Sequence, residues 1–265
     1  MFRPIVLVAA GLAALALSLP PASAKETSAK ETGAKEAAAI AAAVADANRP
    51  DTDKQRDANR RPAETLAFVG VRPGDQVAEL LPGAGYFTRL FSKVVGPRGH
   101  VYALVPAPSP NAPADTPDFA ARVKAIAADP NYSNVAVLVE PFAELKVPEP
   151  VDLVWTSQNY HDLHNFPGVD VGVFNQLVFE ALKPGGAYVV LDHAAESGSG
   201  ARDTATLHRI DAELVKKEVL AAGFVFVGDS DLLRQPGDSH TVKVFDPSVR
   251  GKTDQFILKF LKPKK

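Results

Sequence analysis

Five short apolar-rich runs, the last three of them almost unbroken, constrain this chain more than any other feature. They are DQVAELL (75–81), HVYALV (100–105), NVAVLVE (134–140), VDLVWT (151–156) and GAYVVLDH (186–193). A strand with one wet face alternates apolar and polar residues, whereas a run apolar at nearly every position belongs to a sheet covered on both faces. Between the runs lie segments with helical spacing: DKQRDANRRPAETLAFVG (53–70), YFTRLFSKVVG (86–96), DFAARVKAIAAD (118–129) opened by Thr116-Pro117, and ATLHRIDAELVKKEVLAAG (205–223). Proline suits the first turn of a helix and glycine its end. Strands alternating with helices predict a doubly wound, mostly parallel α/β sheet. A further strand is expected at FVFVGDS (224–230). HTVKVFD (240–246) and DQFILKFLK (254–262) then predict a C-terminal antiparallel hairpin across PSVRGK.

The amino terminus reads differently. Arg3, the 15-residue apolar stretch IVLVAAGLAALALSL (5–19) and the small residues Ala22 and Ala24 before Lys25 make residues 1–24 an export signal. The stretch is short for a bilayer span, which needs about 20 apolar residues. KETSAKETGAKEAAAIAAAVADA (25–47) has few large apolar side chains, so residues 25–48 are expected to be a tether or frayed helix. The α/β domain is expected over 49–265. The expected location is periplasmic or secreted, with no membrane contact once the signal is removed. No cysteine is present, which excludes disulfides, thiolate catalysis and cysteine-ligated zinc. Lysine plus arginine (29) nearly balances aspartate plus glutamate (31), so no nucleic-acid partner is expected. Nothing in the sequence fixes an oligomeric state.

In sheets of this kind ligands bind at the carboxyl ends of the strands. The first strand ends in ELLPGAGYFT (79–88), where Gly83 and Gly85 allow a sharp turn and the next helix turns its free N–H groups toward the edge. The third position after Gly85 is Thr88, so this is not the full dinucleotide-binding glycine pattern. VAELLPGAGYFT resembles the first motif of class I S-adenosylmethionine-dependent methyltransferases, and ALKPGGAYVVLDH (181–193) resembles the turn and strand after their fourth crossover. The similarity runs from about Arg49 to Lys265 and extends to exported bacterial proteins described as predicted methyltransferases, through NYHDLHN, LHRID, AAGF and VFDPSVRGKTDQF. The resemblance implies a Rossmann-like, seven-stranded methyltransferase sheet and S-adenosylmethionine as cofactor. Its cofactor-binding residues would be Glu79, Pro82, Gly83, Ala84, Gly85, Tyr86 and Asn159. Those enzymes usually end their second strand with an acid for the ribose hydroxyls; here Val105 and Pro106 stand in that place.

The fourth strand leads into SQNYHDLHN (157–165) at the same sheet edge, and the fifth ends in Asp192 and His193. Drawn as a helix at about 100° per residue, LHRID would put His208 and Asp211 about 60° apart on the apolar face near the strand ends. His161, Asp162, His193, His208 and Asp211 are therefore the candidate catalytic residues. Three readings stay open, in this order. A histidine or aspartate takes a proton during methyl transfer to an oxygen or nitrogen of a small molecule, a role suited to a group with a pKa of about 6.5. The polar groups form a satisfied structural network. Or His161, Asp162, His193 and Asp192, with His208 as a further candidate, hold a divalent ion, although the i,i+4 spacing of a strong zinc motif is absent and no metal is expected. An alternative to an enzyme is a small-ligand-binding protein that keeps the fold without catalysis. Tyr86, Phe87 and Trp155 are expected to pack the core; Arg60 and Arg61 are expected on a solvated helix face, with a clamp on an anionic group over the cleft as the alternative.

Overall fold

The computed structural model describes residues 22–108, 111, 113, 115–141 and 144–264; the expected export signal lies almost wholly outside the described residues. Among the described residues no helix is long and apolar enough to cross a membrane. The chain divides into an N-terminal unit through Lys35 and a compact unit, Glu36–Lys265.

In chain order the elements are α1 (Ala22–Val44), α2 (Asp51–Lys54), α3 (Asp57–Arg60), α4 (Pro62–Val69), β1 (Gln76–Leu80), α5 (Tyr86–Val95), β2 (His100–Pro106), α6 (Ala121–Ala127), β3 (Val135–Glu140) and β4 (Val151–Ser157). They continue with α7 (Tyr160–Leu163), α8 (Val171–Ala181), β5 (Leu182–His193), α9 (Ala212–Ala221), β6 (Val225–Ser230) and β7 (Gln255–Leu261). One seven-stranded sheet runs β3-β2-β1-β4-β5-β7-β6. β7 is antiparallel to both of its neighbours, and the other pairings are parallel.

The apolar runs are continuous because each strand feeds two cores. Val77, Leu153, Trp155, Val189 and Leu191 face one core, with α4, α5 and α6. Ala78, Val151, Val154, Tyr188 and Val190 face the other, with α8 and α9. Side chains alternate across a strand, so covering both faces requires an apolar residue at every position. Trp155 is fully buried, its ring 4.8 Å from Phe87 and 5.8 Å from Phe91.

The structure departs from the sequence reading in four places. The compact unit starts earlier than residue 49, because Ile40 and Ala43 of α1 are buried in the α5-side core. The expected helix over 53–70 is three short pieces, broken at Arg61, whose backbone is left-handed at φ 42°. The expected helix over 205–223 begins only at Ala212. Ile210 instead forms a parallel bridge to Ala194, extending the edge of β5, and Asp211 caps α9 by accepting from Glu213 N–H at 3.0 Å. Finally, β7 does close an antiparallel hairpin, but its partner is β6 and not residues 240–246. That segment is an ordered loop. Its Val242 carbonyl accepts from the buried Arg209 (3.0 Å), which is also paired through two hydrogen bonds with Asp238 (2.9 and 3.1 Å).

Candidate functional site

The carboxyl ends of β1 and β4 enclose a cleft of about 150 Å³, walled by Glu79, Pro82, Gly83, Ala84, Tyr86 and Asn159, with Arg60 at its rim. Glu79 is buried and accepts from the Thr88 hydroxyl at 2.5 Å. Burial pushes its carboxyl up to about 7, with Thr88, Arg60 and Arg89 pulling the other way. Asn159 spends its amide donors on the carbonyls of Leu81 (2.9 Å) and Ser157 (2.7 Å), tying the two strand ends together.

The two glycines do different work. Gly83 has φ 58°, and a side chain there would meet nothing within 4 Å, so the cleft floor is open to a ligand. Gly85 does not line the cleft. Its φ of 76° starts α5, and a Cβ there would collide with Ile126. Of the expected cofactor residues, Gly85 is thus held by backbone conformation and packing.

Arg60 is no solvated helix residue. Half-buried, it donates to the Gln158 side-chain oxygen at 2.8 Å and lies 4.7 Å over the Tyr86 ring. Burial lowers its guanidinium to about 10. Tyr86 packs the core and donates its hydroxyl to Asp57 at 2.6 Å, so its ring is a wall already fixed in place. Arg61 is exposed and pairs with Glu64.

A larger cavity of about 500 Å³ adjoins the cleft and shares Arg56, Arg60 and Gln158 with it. Arg250, Phe245 and His193 are also in its wall, and no carboxylate among the described residues lines it. His193 bonds the Thr253 hydroxyl through Nδ1 at 2.7 Å, leaving Nε2 without a partner among the described residues. Burial lowers His193 to about 4, against the pull of Asp192, so the ring is neutral at pH 7. A third hollow, of about 400 Å³, lies at the ends of β2 and β3 between Val105, Pro106, Phe119 and Val139. Asp118 lines it, a carboxylate brought from the loop before α6 rather than from the strand.

The histidines converge, although not by the helical route expected. Asp192 is fully buried and accepts from the backbone N–H groups of His161 (2.8 Å) and His193 (2.7 Å) and from His161 Nδ1 (2.9 Å). Burial opposes its charge, yet His161 and these donors hold it below the usual carboxylate range. Burial likewise opposes a charged His161, and Asp192 nevertheless raises it. His161 Nε2 then meets His208 Nδ1 at 3.3 Å and Asp162 Oδ1 at 3.4 Å. His208 gets there from a loop, with φ 56°. Asp211 is not in the group: its carboxylate holds the Gly198 N–H (2.9 Å) and caps α9, a structural role. Sequence reasoning missed Arg56, Arg250, Gln158 and Asp118 as cavity residues. All four sit in loops or short helices, where no periodic pattern reports on position. Among the described residues, five non-glycine residues have positive φ, and three of them, Leu81, Gln158 and His208, belong to this edge. Strain of that kind persists where the surrounding structure enforces it.

No protein-family model matches the chain, and no curated protein does. Solved structures do. A SAM-dependent methyltransferase from Aquifex aeolicus superposes with a TM-score of 0.52, covering 81% of this chain and 98% of its own, at 18% identity. One from Mesorhizobium loti gives 0.53 over 78% of this chain and 99% of its own, at 15% identity. The cyclase SpnF gives 0.55 over 80% and 81%, at 16% identity. At these identities the likeness defines the fold: a Rossmann-like, seven-stranded methyltransferase sheet with its antiparallel C-terminal hairpin.

Proposed function

We propose that this is an exported S-adenosylmethionine-dependent methyltransferase acting on an oxygen or nitrogen of a small molecule that carries an anionic group. The observation that carries the reading is the pair of adjoining spaces. The glycine-floored cleft at β1 and the larger cavity share Arg56, Arg60 and Gln158, so a cofactor in one abuts an acceptor in the other.

Glu79, Pro82, Gly83, Ala84 and Asn159 would hold the methionine end of the cofactor, with Arg60 facing its carboxylate. Asp118 would accept the ribose hydroxyls that the strand end at Val105 and Pro106 cannot, and Phe119 and Val139 offer apolar surface to the adenine. When bound, the cofactor supplies an electrophilic methyl group. Arg56, Arg60 and Arg250 attract and orient an anionic acceptor, since three cations without a lining carboxylate favour negative charge. The neutral His193 offers its Nε2 lone pair to the acceptor's O–H or N–H and so orients it, and the proton released on methyl transfer leaves to solvent. Most of the rate gain comes from holding the two reactants in line. Nucleic acid and membrane lipid are not substrates in this reading.

Calorimetric titration with S-adenosylmethionine and its demethylated product tests it. Micromolar binding is expected, weakened at least 100-fold in Gly83→Arg, whose side chain enters the cleft. No binding at millimolar ligand would overturn the reading in favour of a protein that binds some other small ligand.

A further inference from the structure

We propose that His161 Nε2, Asp162 Oδ1 and His208 Nδ1 form a binding site for one divalent transition-metal ion of the zinc type, beside the arginine-lined cavity. The argument starts from hydrogen-bond polarity. Asp192 accepts from the backbone N–H groups of His161 and His193 and faces His161 Nδ1 at 2.9 Å, a contact that puts the proton of a neutral ring on Nδ1 and the lone pair on Nε2. That lone pair faces the Asp162 carboxylate at 3.4 Å and His208 Nδ1 at 3.3 Å, and the last two atoms are 3.8 Å apart. Three atoms that all bear lone pairs crowd one point. A proton on His208 Nδ1 satisfies one of these contacts directly; a cation at the centre satisfies all three.

The spacing fits the cation. Zinc bonds to histidine nitrogen and carboxylate oxygen at about 2.0–2.2 Å, which for a tetrahedron separates neighbouring donors by about 3.3–3.5 Å. Two of the three separations fall in that range, and the third closes with a small rotation of the half-exposed Asp162 or His208 side chain. The surroundings match as well. A carboxylate behind the buried histidine fixes its tautomer and orientation, the second layer that metal-bound histidines commonly have. Three protein donors leave a coordination position for an oxygen of water or substrate, the arrangement of a catalytic rather than a structural site. The cavity is near enough to supply that oxygen: His208 packs 4.9 Å from the Phe245 ring and His161 lies 6.3 Å from the His193 ring, both residues of the cavity wall. The left-handed backbone of His208 is then a strain retained to aim one ring at the ion. Soft-ligand metals such as copper(I) are disfavoured by a nitrogen and oxygen donor set.

The test uses the whole protein, stripped with a chelator and titrated with Co²⁺ alone, without S-adenosylmethionine, so its outcome is independent of the cofactor reading. One equivalent of Co²⁺ with visible d–d absorption is expected, displaced by Zn²⁺, with Zn²⁺ raising the thermal midpoint. His208→Ala and Asp162→Asn should each weaken Co²⁺ binding at least 100-fold while folding in the absence of metal. Asp192→Asn, a positioning change, should weaken it roughly 10–100-fold. Absence of Co²⁺ absorption at millimolar metal, or binding undiminished in both His208→Ala and Asp162→Asn, would overturn the proposal. In that case the group is a hydrogen-bonded network only.

Discussion

The two sides of the sheet edge are built by opposite means. The cleft at β1 is made by one continuous stretch, residues 79–86, where a strand turns through glycine into a helix whose buried face anchors it. The histidine side is assembled from α7, the end of β5 and the loop carrying His208, held by Asp192 and by the ordered segment between β6 and β7. In the first, packing fixes geometry and chemistry follows. In the second, hydrogen bonds to Asp192 and buried ion pairs such as Arg209–Asp238 fix geometry, and the polar side chains are held by polar partners rather than by apolar packing. Substitutions in the packing beneath the cleft and in helix caps should therefore cost stability first, and those of polar side chains facing the cavity should cost function first.

Trp155→Ala sets the upper end. Its ring fills the core beneath the cleft, and truncation should cost about 3–5 kcal/mol in chemical denaturation. A loss below about 1 kcal/mol would break the comparison, because packing would not be what holds the cleft.

Glu79→Gln comes next. The folded carboxyl titrates near 7, above its ordinary value, so the fold favours the protonated form. That contribution is fully present below the unfolded pKa of 4.5 and is lost as pH rises through about 7. The wild type should lose up to about 3 kcal/mol across this window from this group alone, and the glutamine variant should show a flatter profile. Urea melts at pH 4.5 and pH 8 measure it.

Arg60→Gln probes the wall common to both spaces. Removing a charge-assisted contact worth about 1.5–3 kcal/mol should raise KM for an anionic acceptor roughly 10–100-fold while moving the melting temperature little. An equal effect on a neutral acceptor would remove the charge argument. The smallest effect belongs to Asp211→Ala. Losing a helix cap should cost about 1 kcal/mol and leave turnover unchanged. A collapse of turnover in a folded Asp211→Ala protein would return this residue to the site.

The same contrast explains what the sequence could tell. The doubly wound sheet was legible because every central strand must be apolar on both faces, and the cleft was legible because a strand, a glycine turn and a helix are adjacent in the chain. The histidine group was legible only as residue types at strand ends. Its geometry was not, since His208 sits in a left-handed loop pinned by the Ile210 bridge, and a helical wheel cannot foresee a backbone that leaves the helix. Asp211 lies apart from the histidines for the same reason: the helix begins only at Ala212, and the aspartate before it accepts from Glu213 N–H as its cap. Residues 240–246 alternate like a strand, but their backbone is engaged by Arg209 and Leu207. For Arg60 the sequence favours a solvated face over an anion clamp, because amphipathic spacing cannot reveal that a short helix lies over the end of a sheet.

The most direct measurement is a crystal structure of the protein with the demethylated cofactor product. The account predicts the amino-acid end of that ligand over Gly83 beside Glu79 and Arg60, its ribose within hydrogen-bond reach of Asp118, and its sulfur directed toward the cavity bounded by His193 and Arg250. A ligand bound elsewhere, or a cleft that closes over Gly83 without admitting it, would contradict the account.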